Sequence, residues 1–119
     1  MDYLTDIEFW EDINGNSPIT DFLSGTPLKA KKWIIKKNSY FEQLTVEQLR
    51  KSKYLEPVEG TEFLILELKY FTQPPYRMLC TVWKQKLVGL VMFQGSGTKE
   101  ISKNIKQAID RASYWKNNN

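Results

Sequence analysis

The sequence contains no histidine and a single cysteine among its 119 residues. Without histidine, no imidazole can act as a catalytic base, and the usual zinc sites lose their commonest ligand. Cys80 lies in an apolar stretch, which indicates a reduced core residue rather than half of a disulfide. No apolar run approaches the roughly 20 residues that span a bilayer, and the acidic opening lacks the hydrophobic segment of a signal peptide. We therefore expect a cytoplasmic protein without disulfides and without a membrane segment.

The composition predicts one folded domain over residues 1–119, with 41% apolar and 26% charged residues. The net charge of +3 conceals a split between the two halves of the chain. Residues 1–65 hold 8 basic and 11 acidic residues, whereas residues 66–119 hold 9 and 3. The basic second half suggests a polyanionic partner, although an ordinary solvated surface accounts for the same charges.

Two Ser-Pro or Thr-Pro pairs mark predicted helix starts in the first half. Ser17 can cap a helix whose first residue is Pro18, and Gly25 ends it. Thr26 and Pro27 repeat the arrangement for a second helix. The apolar face of that second helix is predicted to include Leu28, Trp33, Ile34 and Ile35. The remaining positions of this helix carry the lysines Lys29, Lys31, Lys32, Lys36 and Lys37.

Further elements surround these helices. Asp6 to Trp10 is predicted to form a short first strand, and Thr45 with Gln48 forms a capping box for a third helix. A final helix is predicted from about Lys99 to Trp115.

The second half of the chain changes to the alternating pattern of strands. Residues 63–69, 76–83 and 87–93 are predicted to form one antiparallel sheet, with a Pro-Pro connection first and a tight Lys-Gln-Lys turn second. Gly89 interrupts the last strand, so we expect another element to pack closely over it, such as the final helix through Ala108 or Ala112. The predicted fold class is α+β, with the early helices on one face of the sheet and the last helix on another face or edge.

The segment Gln-Gly-Ser-Gly-Thr-Lys between the last strand and the last helix has the layout of a phosphate-binding loop. Its glycine spacing matches neither a Walker A loop nor a dinucleotide fingerprint. Gly95 and Gly97 therefore favour a hinge, with Thr98 as the helix cap. A phosphate bound at the helix N-terminus is the alternative.

Charged residues on the predicted strands allow two interpretations. Lys69 and Arg77 face each other at the ends of two strands, and Glu67 shares the face of Lys69. Arg77 could form a salt bridge with Glu67 that closes the end of the sheet. Alternatively, Arg77 could present its forked guanidinium to a phosphate.

Five segments share a pattern with a known family when they are taken in their order along the chain. They are SPITDFLSG, LILELKY, PPYRMLCTVW, LVGLVMF and NIKQAIDRASYW. Together they resemble the RelE/HigB superfamily of type II toxin–antitoxin toxins, and most closely its phage-derived, HigB-like branch. Lys69 stands at a basic position of the family and Arg77 at its shared arginine.

The resemblance implies a RelE-like fold with a small antiparallel sheet, N-terminal helices and a C-terminal helix. It implies an mRNA endoribonuclease (mRNA interferase), in many members acting on the ribosome, that needs neither metal nor cofactor. The ribose 2′-hydroxyl attacks the adjacent phosphate in such enzymes. The implied partners are mRNA and a cognate antitoxin, of helix-turn-helix type.

The same resemblance assigns roles to particular residues. Arg77 would hold the scissile phosphate, and Lys69 would contact it or help to activate the hydroxyl. Tyr114, or Arg111 one turn earlier, matches the C-terminal site residue of many members, and Glu67 is a candidate base. The basic residues expected to contact RNA are Lys84, Lys86, Lys99 and Arg111.

One departure from the family pattern follows Phe93. Members of the branch carry a basic loop there, whereas this chain has Gln-Gly-Ser-Gly-Thr and retains only Lys99. Each lost phosphate contact weakens RNA binding. The alternative function is therefore a non-catalytic phage or mobile-element protein on the same fold that binds a host target.

Overall fold

The computed structural model describes residues 4–62, 64–72, 74–95 and 98–119, with the backbone alone for 98–100. Within these residues the chain forms five strands and four helices. In chain order they are β1 (Asp6–Phe9), α1 (Pro18–Ser24), α2 (Leu28–Phe41), α3 (Val46–Arg50), β2 (Leu55–Pro57), β3 (Leu66–Tyr70), β4 (Tyr76–Trp83), β5 (Lys86–Gln94) and α4 (Thr98–Asn118).

The strands form one sheet in the order β1-β5-β4-β3-β2. The three predicted strands correspond to β3, β4 and β5, and their antiparallel pairing is confirmed. β3 begins at Leu66, later than predicted, and the predicted strand position 63 lies outside the described residues. β1 pairs with β5 in parallel, and β2 adds an antiparallel edge strand that the alternation pattern did not indicate. β2 has only three residues and ends at Pro57, which suits an edge because proline lacks the N–H of a ladder bond.

The hairpin between β4 and β5 fixes the register at the centre of the sheet. Its turn residues Lys84 and Gln85 have φ values of 49° and 67°, as the predicted tight turn requires. Leu79 pairs with Val91 while Cys80 pairs with Gly89, so Leu90 is the extra residue of a β-bulge. Leu90 and Val91 consequently belong to the same hydrophobic cluster although they are adjacent in sequence.

Each face of the sheet is covered by helices, as the sequence predicted. The cluster on one face joins α1 and α2 to the strands through Ile19, Ile34 and Phe41. On the other face, Ala108 and Ala112 of α4 are fully buried in a second cluster. The α+β class and the placement of the early and last helices are confirmed.

Gly89 is closely packed, but by a different element than predicted. A Cβ at this position would lie 2.7 Å from both Ile19 Cδ1 and Met78 Sδ and 3.2 Å from Phe9 Cδ1. The covering helix is therefore α1 rather than α4. The reason is alternation, since the neighbouring side chain of Val88 points to the α4 face and leaves position 89 on the other.

The apolar face predicted for α2 is also wrong in part. Ile34 and Phe41 are buried, whereas Leu28 and Ile35 are 66% and 51% exposed and Trp33 is 36% exposed. Positions 34 and 41 are seven residues apart, which is two helical turns, and they define the face that meets the sheet.

Two of the four predicted helix caps are confirmed. Ser17 accepts a hydrogen bond from the first turn of α1, and Thr45 with Gln48 forms the capping box of α3. Thr26 does not cap α2, because its hydroxyl donates instead to the carbonyl of Phe22 at 2.8 Å. Gly95 has a φ of +115°, in a region that side chains disfavour, so the chain turns there as a glycine allows. Gly97 lies outside the described residues, as does the side chain of Thr98.

Candidate functional site

Four charged residues meet on the α4 side of the sheet, across β2, β3 and β4. Glu56 pairs across the strands with Glu67, and Lys69 pairs with Arg77. We call these four residues the charged quartet. Like charges directly opposite one another are unfavourable, but the diagonal neighbours are within reach of long side chains and carry opposite charges.

The ion pairs of the quartet follow these diagonals. Arg77 Nη1 donates to Glu67 Oε1, and Arg77 Nε donates to the carbonyl of Gly95 at 3.0 Å. Lys69 Nζ donates to Glu56 Oε2 at 2.7 Å. The side chains of Arg77 and Glu67 are only 18% and 15% exposed, and that of Glu56 is 55% exposed. The predicted salt bridge between Arg77 and Glu67 is therefore present, at the end of the sheet.

These contacts hold the guanidinium in a fixed orientation. Arginine has five N–H donors, and the two contacts of Arg77 use one at Nε and one at Nη1. Neither of these two contacts uses Nη2, the other arm of the guanidinium fork. A carboxylate thus lies beside a guanidinium on two rigid strands, which is a pair able to accept a proton and to bind a phosphate oxygen.

The two candidate residues of α4 meet a different part of the sheet. Arg111 Nη1 donates to the carbonyl of Leu90 at 2.6 Å, and its guanidinium lies 4.9 Å from the ring centre of Trp10. Burial lowers the pKa of Arg111. The rings of Trp10 and Tyr114 make an edge-to-face contact with centroids 5.9 Å apart. Arg111 and Tyr114 are therefore joined through Trp10, the residue that follows β1.

Strand register separates this aromatic contact from the charged quartet. Arg77 pairs with Phe93, whereas Phe9 pairs with Gly89, four residues earlier on β5. Two strand spacings and four residues along β5 put roughly 16 Å between the backbones of Arg77 and Phe9. The structure brings Arg77, Glu67 and Lys69 together and does not bring Tyr114 to them.

The other predicted RNA-binding lysines lie away from the quartet. Lys84 is in the β4–β5 turn, with Nζ 5.4 Å from the ring centre of Trp83, and Lys86 Nζ bonds Glu8 at 3.1 Å. This turn and Arg77 are at opposite ends of β4. The side chain of Lys99 lies outside the described residues.

Glu56 is the quartet member that the sequence analysis missed. It lies on β2, the edge strand that the sequence pattern did not predict. Its register with Glu67 depends on a pairing across a loop, and no local signal in the sequence marks it.

No protein-family model matches the sequence, and no curated protein matches it. The described residues contain no cluster of three or more carboxylate or thiol side chains able to hold a metal ion. None of the helices in the described part of the chain is long and apolar enough to cross a bilayer.

Proposed function

We propose that the protein is a metal-independent mRNA endoribonuclease, acting as the toxin of a type II toxin–antitoxin module similar to RelE/HigB toxins. The observation that carries the proposal is the contact between the Glu67 carboxylate and the Arg77 guanidinium on β3 and β4. The sequence resemblance and the order of helices and antiparallel strands support it as well.

The reaction needs a base and a cation at one phosphate. Glu67 takes the proton of the ribose 2′-hydroxyl, and the 2′ oxygen attacks the adjacent phosphorus. The bond from phosphorus to the 5′ oxygen breaks, and that oxygen takes up a proton from solvent water. The products are a 2′,3′-cyclic phosphate and a 5′-hydroxyl. Arg77 stabilises the charge that develops on the phosphate oxygens, with Lys69 as the second cation.

The resting ion pairs are compatible with this role. The bonds from Nε to Gly95 and from Nη1 to Glu67 orient Arg77 before substrate arrives, so little reorganisation is required. The ammonium of Lys69 has three donors, of which Glu56 takes one. Glu56 is more than half exposed, so this second ion pair can open at modest cost.

The test combines expression in bacteria with cleavage by the purified protein. After induction, growth and the 5′ ends of mRNAs would be followed, with and without co-expression of a gene adjacent to the one for this protein, where an antitoxin would be encoded. Arg77→Lys keeps the charge and a partner for Glu67 but loses the fork, and Glu67→Gln keeps the shape but loses the base. Each should lower the cleavage rate by about 100- to 1000-fold, as expected when a preorganised group at the transition state is lost.

The matched control is Lys51→Ala. Lys51 is an exposed cation in an ion pair with Glu47 on α3. The variant therefore removes one positive charge and one salt bridge that lie outside the charged quartet. Cleavage by this variant should equal that of the parent. Full activity of Arg77→Lys at equal protein level, or the absence of RNA cleavage by the parent on and off the ribosome, would refute the endoribonuclease proposal.

A non-catalytic binding protein on the same fold is the second candidate. It is favoured by the carboxylate partners of both central cations and by the neutral segment after Phe93. In that case Arg77→Ala leaves Glu67 partly buried without its partner, which costs on the order of 3 kcal/mol of stability. If the parent cleaves no RNA and Arg77→Ala changes only the melting temperature, which falls, this second candidate is supported.

A further inference from the structure

A groove lies on the side of the molecule away from the charged quartet, between α2 and the connection from β3 to β4. Its cavity has a volume of about 730 Å³. Basic side chains come from α2 and aromatic rings from α2 and from the β3–β4 connection. We call it the lysine–aromatic groove, defined by Lys29, Lys32, Trp33, Lys36, Phe71 and Tyr76.

The four groove residues of α2 form one stripe of the helix. Lys29, Lys32, Trp33 and Lys36 are spaced at i, i+3, i+4 and i+7, which places them on a single face. All four are exposed, whereas the opposite face carries the buried Ile34. The stripe extends about 10 Å along the helix axis, enough for a few nucleotides of an extended strand.

The charge of the groove fits a polyanion. The fourteen residues of α2 include five lysines and no carboxylate. Among the residues that the structure describes, no acidic side chain lines the groove, and Lys29, Lys32 and Lys36 take part in no salt bridge. Three cations on one helix face, with no salt-bridge partner among the described residues, give a local positive potential.

The aromatic rings make the groove specific for bases rather than for charge alone. Trp33 and Phe71 are 36% and 49% exposed, which is a large apolar area to leave in water. The ammonium of Lys37 lies 5.0 Å from the Trp33 ring centre and 5.2 Å from that of Tyr54. These cation–π contacts restrict the orientation of the indole ring. Exposed rings beside unpaired lysines are the combination that binds single-stranded nucleic acid, through stacking and phosphate contacts.

One end of the groove is lined by sequence neighbours of the Arg77 contacts. Tyr76 and Gln94 line that end and pair with each other across β4 and β5. Tyr76 precedes Arg77, and Gln94 precedes Gly95, whose carbonyl accepts from Arg77 Nε. Tyr76 and Gln94 are thus the groove residues nearest in sequence to the contacts of Arg77.

We propose that the lysine–aromatic groove binds single-stranded RNA, with bases stacked on Trp33 and Phe71 and phosphates on Lys29, Lys32 and Lys36. The choice of RNA, and the role of the groove in guiding the strand to Arg77, rest on the proposed endoribonuclease function. The concave shape favours a polymer strand over a membrane surface, which cannot enter a cavity.

Binding is measured by fluorescence anisotropy with a labelled 2′-O-methyl oligouridine of twelve nucleotides, which cannot be cleaved because the attacking hydroxyl is blocked. Trp33→Ala should weaken binding roughly 5- to 150-fold, the range expected for one lost stacking partner. Lys32→Ala with Lys36→Ala should lower the slope of log affinity against log salt by about 1.4, because two phosphate contacts are lost.

The matched control is Lys103→Ala with Lys106→Ala, which removes two exposed lysines from α4 on the other side of the sheet. Affinity within twofold of the parent is expected for this control. Thermal melts of all variants verify folding, and the exposed positions of the replaced lysines predict unchanged melting temperatures for the lysine variants.

Equal losses in the control and the groove variants would overturn the proposal, because the binding would then follow net charge alone. Equal affinity for single-stranded DNA of the same sequence would overturn the choice of RNA. If the parent binds anionic phosphatidylglycerol vesicles and the groove variants lose that binding but keep their RNA affinity, the groove would be assigned to a membrane instead. RNA binding that depends on Trp33, in a protein that cleaves nothing, would support the groove and refute the endoribonuclease.

Discussion

Gly89 offers the sharpest test of how the sheet and its helices fit together. Its missing side chain makes room for α1, because an added Cβ would lie 2.7 Å from Ile19 Cδ1 and 2.7 Å from Met78 Sδ. Because these distances are shorter than van der Waals contact, an alanine fits only if the side chains of Ile19 and Met78 move. Both side chains are flexible enough to do so. Phe9 Cδ1 at 3.2 Å limits the movement from the side of β1.

Gly89→Ala combines two opposing effects. Replacing glycine within a strand favours folding by about 0.5–1 kcal/mol, because the unfolded chain loses freedom. Overpacking against the neighbouring atoms costs about 1–3 kcal/mol, so a net loss of roughly 1 kcal/mol is expected. Gly89→Val adds two more methyl groups in the same space and should lose about 2–3 kcal/mol. For a chain of this length each kcal/mol lowers the melting temperature by roughly 3–6 °C.

The assay is urea and thermal unfolding of a double-mutant cycle. Ile19→Val deletes the Cδ1 atom, which alone should cost about 0.5–1.5 kcal/mol. In the Gly89→Ala background, Ile19→Val should lower the free energy of unfolding by less than it does alone. The coupling energy between the two substitutions should be at least about 0.5 kcal/mol. Gly25→Ala is the control, since a Cβ there meets only the Phe22 carbonyl at 3.8 Å. Additive effects, or a Gly89→Val protein that melts like the parent, would refute the close packing of α1.

Three further predictions concern local features. Gln85→Gly, combined with Lys84→Asn, should raise stability by about 1 kcal/mol, because the turn then carries residues suited to its positive φ angles. Thr45→Ala removes the cap of α3 and should cost about 1 kcal/mol in urea unfolding. Burial raises the pKa of Cys80 from about 9 to about 12, so the folded protein keeps a proton that the unfolded chain releases above pH 9. Stability should therefore fall as the pH rises from 9 towards 12, and Cys80→Ala should reduce the loss between pH 8 and pH 10 by roughly 1 kcal/mol.

Each of these predictions has a clear contrary result. A turn variant less stable than the parent would show that Lys84 or Gln85 makes a favourable contact that outweighs its backbone conformation. An unchanged urea midpoint for Thr45→Ala would mean that α3 does not need its capping box. An alkaline loss of stability that Cys80→Ala leaves unaltered would show that the thiol is not the group that titrates.

Local sequence patterns determined much of the secondary structure. The Ser17 cap, the Thr45–Gln48 box and the Lys-Gln turn were readable because each depends on residues within four positions of one another. The three alternating strands were readable because a half-buried strand repeats every two residues. The same alternation placed Glu67 and Lys69 on one face and made their approach to Arg77 predictable.

Tertiary structure alone decided which partners those elements meet. The parallel position of β1 beside β5, the edge strand β2 and the bond from Lys69 to Glu56 depend on pairings between distant segments. Helix packing on the twisted sheet determines which helix covers Gly89 and which face of α2 is buried. Periodicity in a sequence indicates that one face of an element will be buried. Register and packing across the whole domain determine which neighbouring element buries that face.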